Sequence, residues 1–326
     1  MKRLYPDTGS FNSDRLDTLD GHSLYFEQSG NPDGIPVLFI HGGPGAGLSS
    51  NYTRFFDANR YHIIGFEQRG CGRSRPFGSL KNNTTAHLLD DIQRLRSHLG
   101  IDSWLVFGGS WGSTLALLTA IDAPERVKGL ILRGVFLGRQ TDRDWFLSPS
   151  GGAAQLFPEH YAAFTSAVAS PLTSERICQW YQRAFEDSDN DVKRLAALKR
   201  WYLWEERLSR LTLPPGTGDV TAHYPVQLMT SLALLECHYL TNKCFIEENY
   251  ILDNIDKINH IPGTIVQGRY DVICKMEAAY TLSQAWDNSE MLIVPDAGHS
   301  TSEPGIGYAL CRATRDMARF LREKES

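Results

Sequence analysis

With 326 residues, 42% of them hydrophobic and 22% charged, the chain is long enough to bury a substantial core, either as one large domain with an insertion or as two domains. A formal net charge of -5 argues against nucleic acid and against an anionic membrane as partners, since both ask for a basic face. The six cysteines form no CxxC pair, no run approaches a membrane span and the N-terminal segment has no apolar stretch after its basic residues, so reduced thiols, no zinc or other metal, and a cytoplasmic protein are expected.

Two semi-alternating stretches flank Asp20-Gly21, a dipeptide that predicts a hairpin turn. Val37 to Ile40 predict a short strand that runs into the glycine-rich "HGGPG". "YHIIGFEQRGCGRS" repeats that plan of strand and glycine loop. Leu88, Leu89, Ile92, Leu95 and Leu99 fall at helical spacing, with Gly100 as the stop. "WLVFGGS" predicts a buried strand, "WGSTLALLTAIDAP" a helix ending before Pro124, and "VKGLILRGVFL" another strand. Strands that are apolar on both faces and alternate with helices predict an α/β protein with a mostly parallel sheet covered on both sides.

From about Arg139 to His260 the pattern turns helical and aromatic. Three helices are predicted there, in "SERICQWYQRAF", "DVKRLAALKRWYLWEERLSRL" and "PVQLMTSLALLECHYLTN". Strands return with "GTIVQGRYD" and "SEMLIVPDAGHS", and "GIGYALCRATRDMARFLREK" closes the chain as a helix. The expected organisation is a core of residues 1–138 and 261–326, with residues 139–260 inserted as a helical cap. A cap so placed can roof the carboxyl ends of the strands, where open sheets bind ligands.

Gly108-Gly109-Ser110-Trp111-Gly112 fits G-x-S-x-G at a strand-to-helix junction. There the serine takes a strained backbone conformation that exposes its hydroxyl, and the small neighbours let strand and helix approach. Standing alone, the pentapeptide could be a turn that caps a helix. Its partners make the difference. Asp271 follows one predicted strand and His299 the next, which is the Ser, acid, His order of an α/β-hydrolase triad. Ser110 would attack a carbonyl carbon, His299 would move the proton and Asp271 would orient the imidazole. Asp296 competes for the acid role but lies only three residues before His299. The developing oxyanion needs fixed donors, for which the backbone N–H groups of Trp111 and Gly43 are the candidates. "HGGPG" lacks the Lys-Ser/Thr tail of a phosphate-binding loop, and no cofactor is expected.

At this point the sequence resembles the proline iminopeptidases, also called prolyl aminopeptidases, of the α/β-hydrolase superfamily. The matching segments are "HGGPG" (41–45), "EQRGCGRS" (67–74), "GGSWGSTLAL" (108–117), "LRGVF" (132–136), "WYLWEE" (201–206), "LLECHY" (234–239), "GRYD" (268–271) and "GHS" (298–300). They run through nearly the whole chain. The resemblance implies a cytoplasmic serine exopeptidase that releases N-terminal proline from short peptides, with the triad on Ser110, Asp271 and His299. It also implies that cap carboxylates, here Glu205 and Glu236, hold the substrate's imino group. Two acids in a low-dielectric pocket suit a cationic terminus and would reject a blocked one. Most glutamates are solvated helix charges, but Glu236 stands in the apolar run "LALLECHYL". Glu206 is the neighbouring alternative to Glu205. Phe136, supported by the resemblance, is the expected wall for the proline ring, with Tyr239, Trp111 and Tyr270 as weaker candidates. The chain departs from the family at Glu67, Ala46, Cys237 and Lys275, which bears on pocket shape and substrate range rather than on the triad.

A general esterase or amidase of the same fold would share Ser110, Asp271 and His299 without needing the glutamates. An epoxide hydrolase or dehalogenase would carry an aspartate as nucleophile. A binding protein on a hydrolase scaffold would show a broken triad or a missing oxyanion loop, and the sequence shows neither. The oligomeric state, including a homo-oligomer, is left open by the sequence.

Overall fold

The computed structural model describes residues 4–187, 190–212 and 225–325. Its sheet is built from β1 (Ser10–Asp17), β2 (Ser23–Gly30), β3 (Ile35–Ile40), β4 (Tyr61–Phe66), β5 (Trp104–Ser110), β6 (Val127–Val135), β7 (Gly263–Gly268) and β8 (Ser289–Val294). The spatial order is β1-β2-β4-β3-β5-β6-β7-β8. β1 and β2 form the hairpin expected around Asp20-Gly21, and β2 also runs antiparallel to β4. The remaining pairings are parallel.

The apolar runs become central strands because both faces are covered. Along β5, Trp104 and Val106 point into one cluster and Leu105 and Phe107 into the other. Leu130 and Leu132 of β6 alternate with Ile131 in the same way. This two-residue period is what a pleated strand imposes. One face is packed by α1 (Thr85–His98), α2 (Trp111–Asp122) and α10 (Met276–Ala285), the other by α11 (Pro304–Glu325). Every residue of α2 from Trp111 to Ile121 is buried, as expected of a helix without a polar face.

Between β6 and β7 the chain forms the inserted helical lobe: α3 (Gln140–Leu147), α4 (Gly152–Leu156), α5 (Pro158–Thr165), α6 (Ser174–Glu186), α7 (Asp191–Leu208), α8 (Val226–Thr241) and α9 (Tyr250–Asp253). The sequence predicts α6, α7 and α8 but not α3, α4, α5, α9 or α10. The missed helices run from 4 to 10 residues, too short for a clear 3.6-residue period. Rings fasten the lobe: Phe164 stacks on Tyr181 at 4.9 Å and on Trp204 at 5.3 Å, and Tyr181 meets Trp201 edge-on at 5.1 Å. Each such pair adds about 0.5–1.5 kcal/mol beyond area burial. Among the described residues no helix is long and apolar enough to cross a membrane.

The loop after β4 is pinned by a buried ion pair. The Arg69 guanidinium forks onto Asp91 of α1, with Nε–Oδ2 at 2.6 Å and Nη2–Oδ1 at 2.7 Å. It also bonds Asp20 and the Asn82 carbonyl. Both Arg69 and Asp91 are shut off from solvent. Removing one partner strands the other charge. Asp91→Ala is therefore expected to lower the unfolding free energy by about 3–5 kcal/mol, read from the urea midpoint; a loss under about 1 kcal/mol would show that Arg69 has adequate partners without it.

Candidate active site

Ser110 ends β5 and precedes α2, with φ 59° and ψ -128°. That conformation costs a non-glycine residue about 1–3 kcal/mol. The crossing is tight enough to require glycine on either side. A Cβ on Gly108 would lie 2.0 Å from the Gly112 carbonyl oxygen, and one on Gly112 would lie 2.3 Å from that of Ile40. Helix α2 is thereby drawn against β3 and β5, and the serine is left at the turn.

Asp271 follows β7 and His299 follows β8, and both are buried. Their side chains meet, with His299 Nδ1 2.8 Å from Asp271 Oδ2. Gln267 Nε2 also donates to Oδ2, at 3.1 Å, and the N–H groups of Ile273 and Cys274 donate to Oδ1 at 3.1 and 2.8 Å. Four donors thus fix the carboxylate and, through it, the ring. Asp296, the competing acid, is exposed.

The other ring nitrogen is also engaged. Arg133 Nη1 lies 2.8 Å from His299 Nε2 and donates to the His299 carbonyl at 3.1 Å. A guanidinium can only donate, so Nε2 is the acceptor and the ring proton sits on Nδ1, facing Asp271. The Ser110 hydroxyl has the thiol of Cys274 at 3.9 Å. No hydrogen bond joins Ser110 to His299 among the described residues; the guanidinium holds the position expected for the hydroxyl. Burial, reinforced by the Arg133 charge, lowers the His299 pKa from its ordinary 6.5, with Asp271 acting in the opposite direction.

Gly43, Ser110, Trp111, Phe136, Glu236, Tyr239 and Cys274 line one cavity. Gln68 ties its two backbone walls together. Its N–H donates to His41 Nε2 at 3.0 Å, its Nε2 donates to the His41 carbonyl at 2.9 Å, and its Oε1 accepts from Trp111 Nε1 at 3.0 Å. The Tyr239 hydroxyl donates to Asn83 Oδ1 at 2.8 Å, and its ring packs edge-on against Trp111 at 4.8 Å. Tyr270 is exposed and stands outside the cavity.

The carboxyl groups of Glu205 of α7 and Glu236 of α8 lie close enough to shift each other's proton affinity. Trp201 Nε1 donates to Glu236 Oε2 at 2.6 Å, while Glu205 Oε2 is buried without a partner among the described residues. Burial pushes Glu205 up to about 7 and, together with the Glu205 charge, raises Glu236 well above the usual carboxylate range. Two such groups hold a proton between them near neutrality. Glu206 turns instead toward Arg210, 3.7 Å away.

Sequence reasoning missed Arg133, Gly134, Gln267, Gln68 and Trp201. An arginine inside the apolar run "LILRGV" was the one signal available. Of the departures, Glu67 pairs with Arg73 at 3.1 Å, Lys275 with Glu277 at 2.9 Å, and Cys237 donates to the Cys178 carbonyl at 3.5 Å; none of the three lines the cavity.

A serine at a strained strand-to-helix turn, with a His–Asp pair beyond the next strands of such a sheet, is the arrangement of the α/β hydrolases, and a family model described as alpha/beta hydrolase fold matches residues 35–305. A proline iminopeptidase from Arabidopsis thaliana is 43% identical over 98% of this chain and 83% of its own, and one from Xanthomonas citri is 42% identical over 98% and 100%. The chain belongs to the proline iminopeptidase family. An esterase from Exiguobacterium antarcticum shares the fold, with a TM-score of 0.62 at 19% identity over 94% of this chain and 99% of its own.

Gly134 leaves the His–Asp pair its space. It has φ +56°, and a Cβ there would lie 2.8 Å from His299 Cε1 and 3.0 Å from Nδ1. Gly134→Ala is expected to cost about 1–3 kcal/mol of stability and, by displacing the ring, on the order of 100-fold in kcat. Urea melts and steady-state kinetics check both; unaltered kcat would show that the ring tolerates the shift.

Proposed function

We propose that the protein is a serine exopeptidase that releases N-terminal proline from short peptides. Residues 1–138 and 261–326 act as the catalytic core and residues 139–260 as the cap that selects the substrate. The observation that carries this reading is the carboxyl pair of buried Glu236 and part-buried Glu205, of which Glu236 faces the same cavity as Ser110.

The imino terminus enters as a cation and is held by Glu236 and Glu205 through charge-assisted hydrogen bonds. Its ring lies against Phe136, with Tyr239 and Trp111 closing the slot. The Ser110 oxygen attacks the prolyl carbonyl carbon and its proton passes to His299 Nε2, once the guanidinium of Arg133 has given up that position. Asp271 keeps the ring oriented and supports its positive charge. The N–H groups of Trp111 and Gly43 receive the oxyanion. His299 then protonates the departing amine, and the C–N bond breaks to leave a prolyl ester on Ser110. Water, deprotonated by His299, cleaves that ester and releases proline.

The test is a panel of free and N-acetylated prolyl arylamides together with a short-chain ester. The free prolyl arylamide is expected to be turned over far faster than the acetylated one, and Ser110→Ala to lose on the order of 10^6-fold in kcat. Comparable rates on the acetylated substrate would favour a general amidase, and a fully active Ser110→Ala would refute the nucleophile.

The acid pair also sets a pH dependence. Glu205 is protonated below about 7 and charged above it. Because the carboxylate is what binds the cation, KM for the prolyl substrate is expected to rise as pH falls below that value, by up to about tenfold per unit. The kcat is expected to hold to lower pH, because the His299 pKa is lowered. A KM that stays flat from about pH 8 to 6 would remove Glu205 from binding.

A further inference from the structure

Two part-buried groups of opposite charge, each with one polar atom shut off from solvent, are left incompletely paired in this site. Arg133 Nε has no partner among the described residues, although Nη1 rests on His299. Glu205 Oε2 is equally bare. Each group contributes to the other's electrostatics. The charged and titratable neighbours of Arg133 narrow its alternatives. Asp271 is committed to His299, Gln267 and two backbone N–H groups. The Cys274 thiol is held neutral by burial. Glu206 turns toward Arg210. Glu205 is the carboxyl with an oxygen to spare. Unpaired buried polar groups are costly, and a second position of the guanidinium on Glu205 would satisfy both at once.

The resting position has a chemical consequence. Nε2 of a neutral imidazole offers one lone pair, and Arg133 occupies it. Ser110 cannot pass its proton there until the guanidinium leaves.

We propose that Arg133 is a positioning residue that latches the general base, and that a substrate cation releases the latch. The proposal rests on the reading of Ser110, His299 and the two glutamates given above. In the empty site the carboxyls hold one proton between them, and Arg133 stays on His299. An imino cation takes the Glu236 carboxylate, which Trp201 already orients, and the shared proton leaves to solvent. Two carboxylates then face one substrate cation, and the remaining negative charge, on Glu205, draws Arg133 across. Nε2 is freed for Ser110 when the correct terminus is in place. A blocked terminus would thus fail twice: it binds poorly, and it leaves the base latched.

The test uses a small neutral phosphonofluoridate, which reacts with an activated serine without needing the glutamates. Labelling of the wild-type protein is timed with saturating pyrrolidinium chloride and with sodium chloride at equal ionic strength. Pyrrolidinium is expected to accelerate labelling by about tenfold, because reactivity scales with the unlatched fraction. Arg133→Met is expected to label fast without pyrrolidinium and to ignore it; a merely structural role would slow both measurements together. The latch is overturned if pyrrolidinium slows or leaves unchanged the wild-type rate, or if Arg133→Met labels slowly and still responds. Should the variant not fold, the wild-type comparison decides alone. Ser110→Ala separates the two readings: equal labelling of that variant refutes the nucleophile, whereas labelling confined to the wild type with no pyrrolidinium effect refutes the latch alone.

Discussion

Two carboxyl groups facing each other in a buried pocket form a site short of one cation. Neither Glu205 nor Glu236 can be fully charged beside the other away from water, and the pair resolves the conflict by keeping a proton. Trp201 fixes one end of the pair with a 2.6 Å hydrogen bond. A bound imino cation relieves the conflict better than a proton does, since it brings its own charge and two donors. A neutral or blocked terminus cannot. On the proposed reading, recognition of the substrate follows from this electrostatic deficit, and the remaining features of the site hold the reacting groups in register with it.

That register depends on how the helical lobe is stitched to the sheet. Ser231 of α8, one turn and a half before Glu236, donates its hydroxyl to the Gly45 carbonyl at 2.8 Å. The Ser300 N–H, next to His299, donates to the Ser209 carbonyl at the end of α7 at 2.7 Å. Each glutamate is therefore carried on a helix that is itself bonded to a loop of the core, α8 to the glycine loop and α7 to the histidine loop. Gln68 locks that glycine loop to Trp111. Shifts of an ångström at such contacts weigh heavily on rate, which is why long-range bonds outside the cavity belong to its function.

Much of this was legible in the sequence. Doubly apolar strands, the hairpin at Asp20-Gly21 and the glycine-flanked Ser110 all follow from local rules. Asp271 and His299 could be singled out because each follows a strand in the order the fold uses, and Glu236 because a charge in an apolar helix needs a reason. The short helices α3, α4, α5 and α9 were invisible because one or two turns carry no period. Arg133, marked only by its place in an apolar run, was missed for a different reason. Its reach to His299 depends on the pairing of β6 with β5 and β7 and on the bare backbone of Gly109, against which its guanidinium packs. Trp201 carried no signal of its own, because its bond to Glu236 exists only where α7 and α8 lie side by side. Local pattern names the candidates; long-range packing decides which of them touch.

The central claim is that a cation replaces a proton between Glu205 and Glu236. Calorimetric titration of the Ser110→Ala protein with prolinamide, in buffers of different ionisation enthalpy, counts that proton directly. The account predicts release of more than one proton per ligand near pH 6, falling to about one above about pH 7, where Glu205 has ionised and Glu236 still holds its proton. Binding enthalpies that do not vary with the buffer near pH 6 would contradict it.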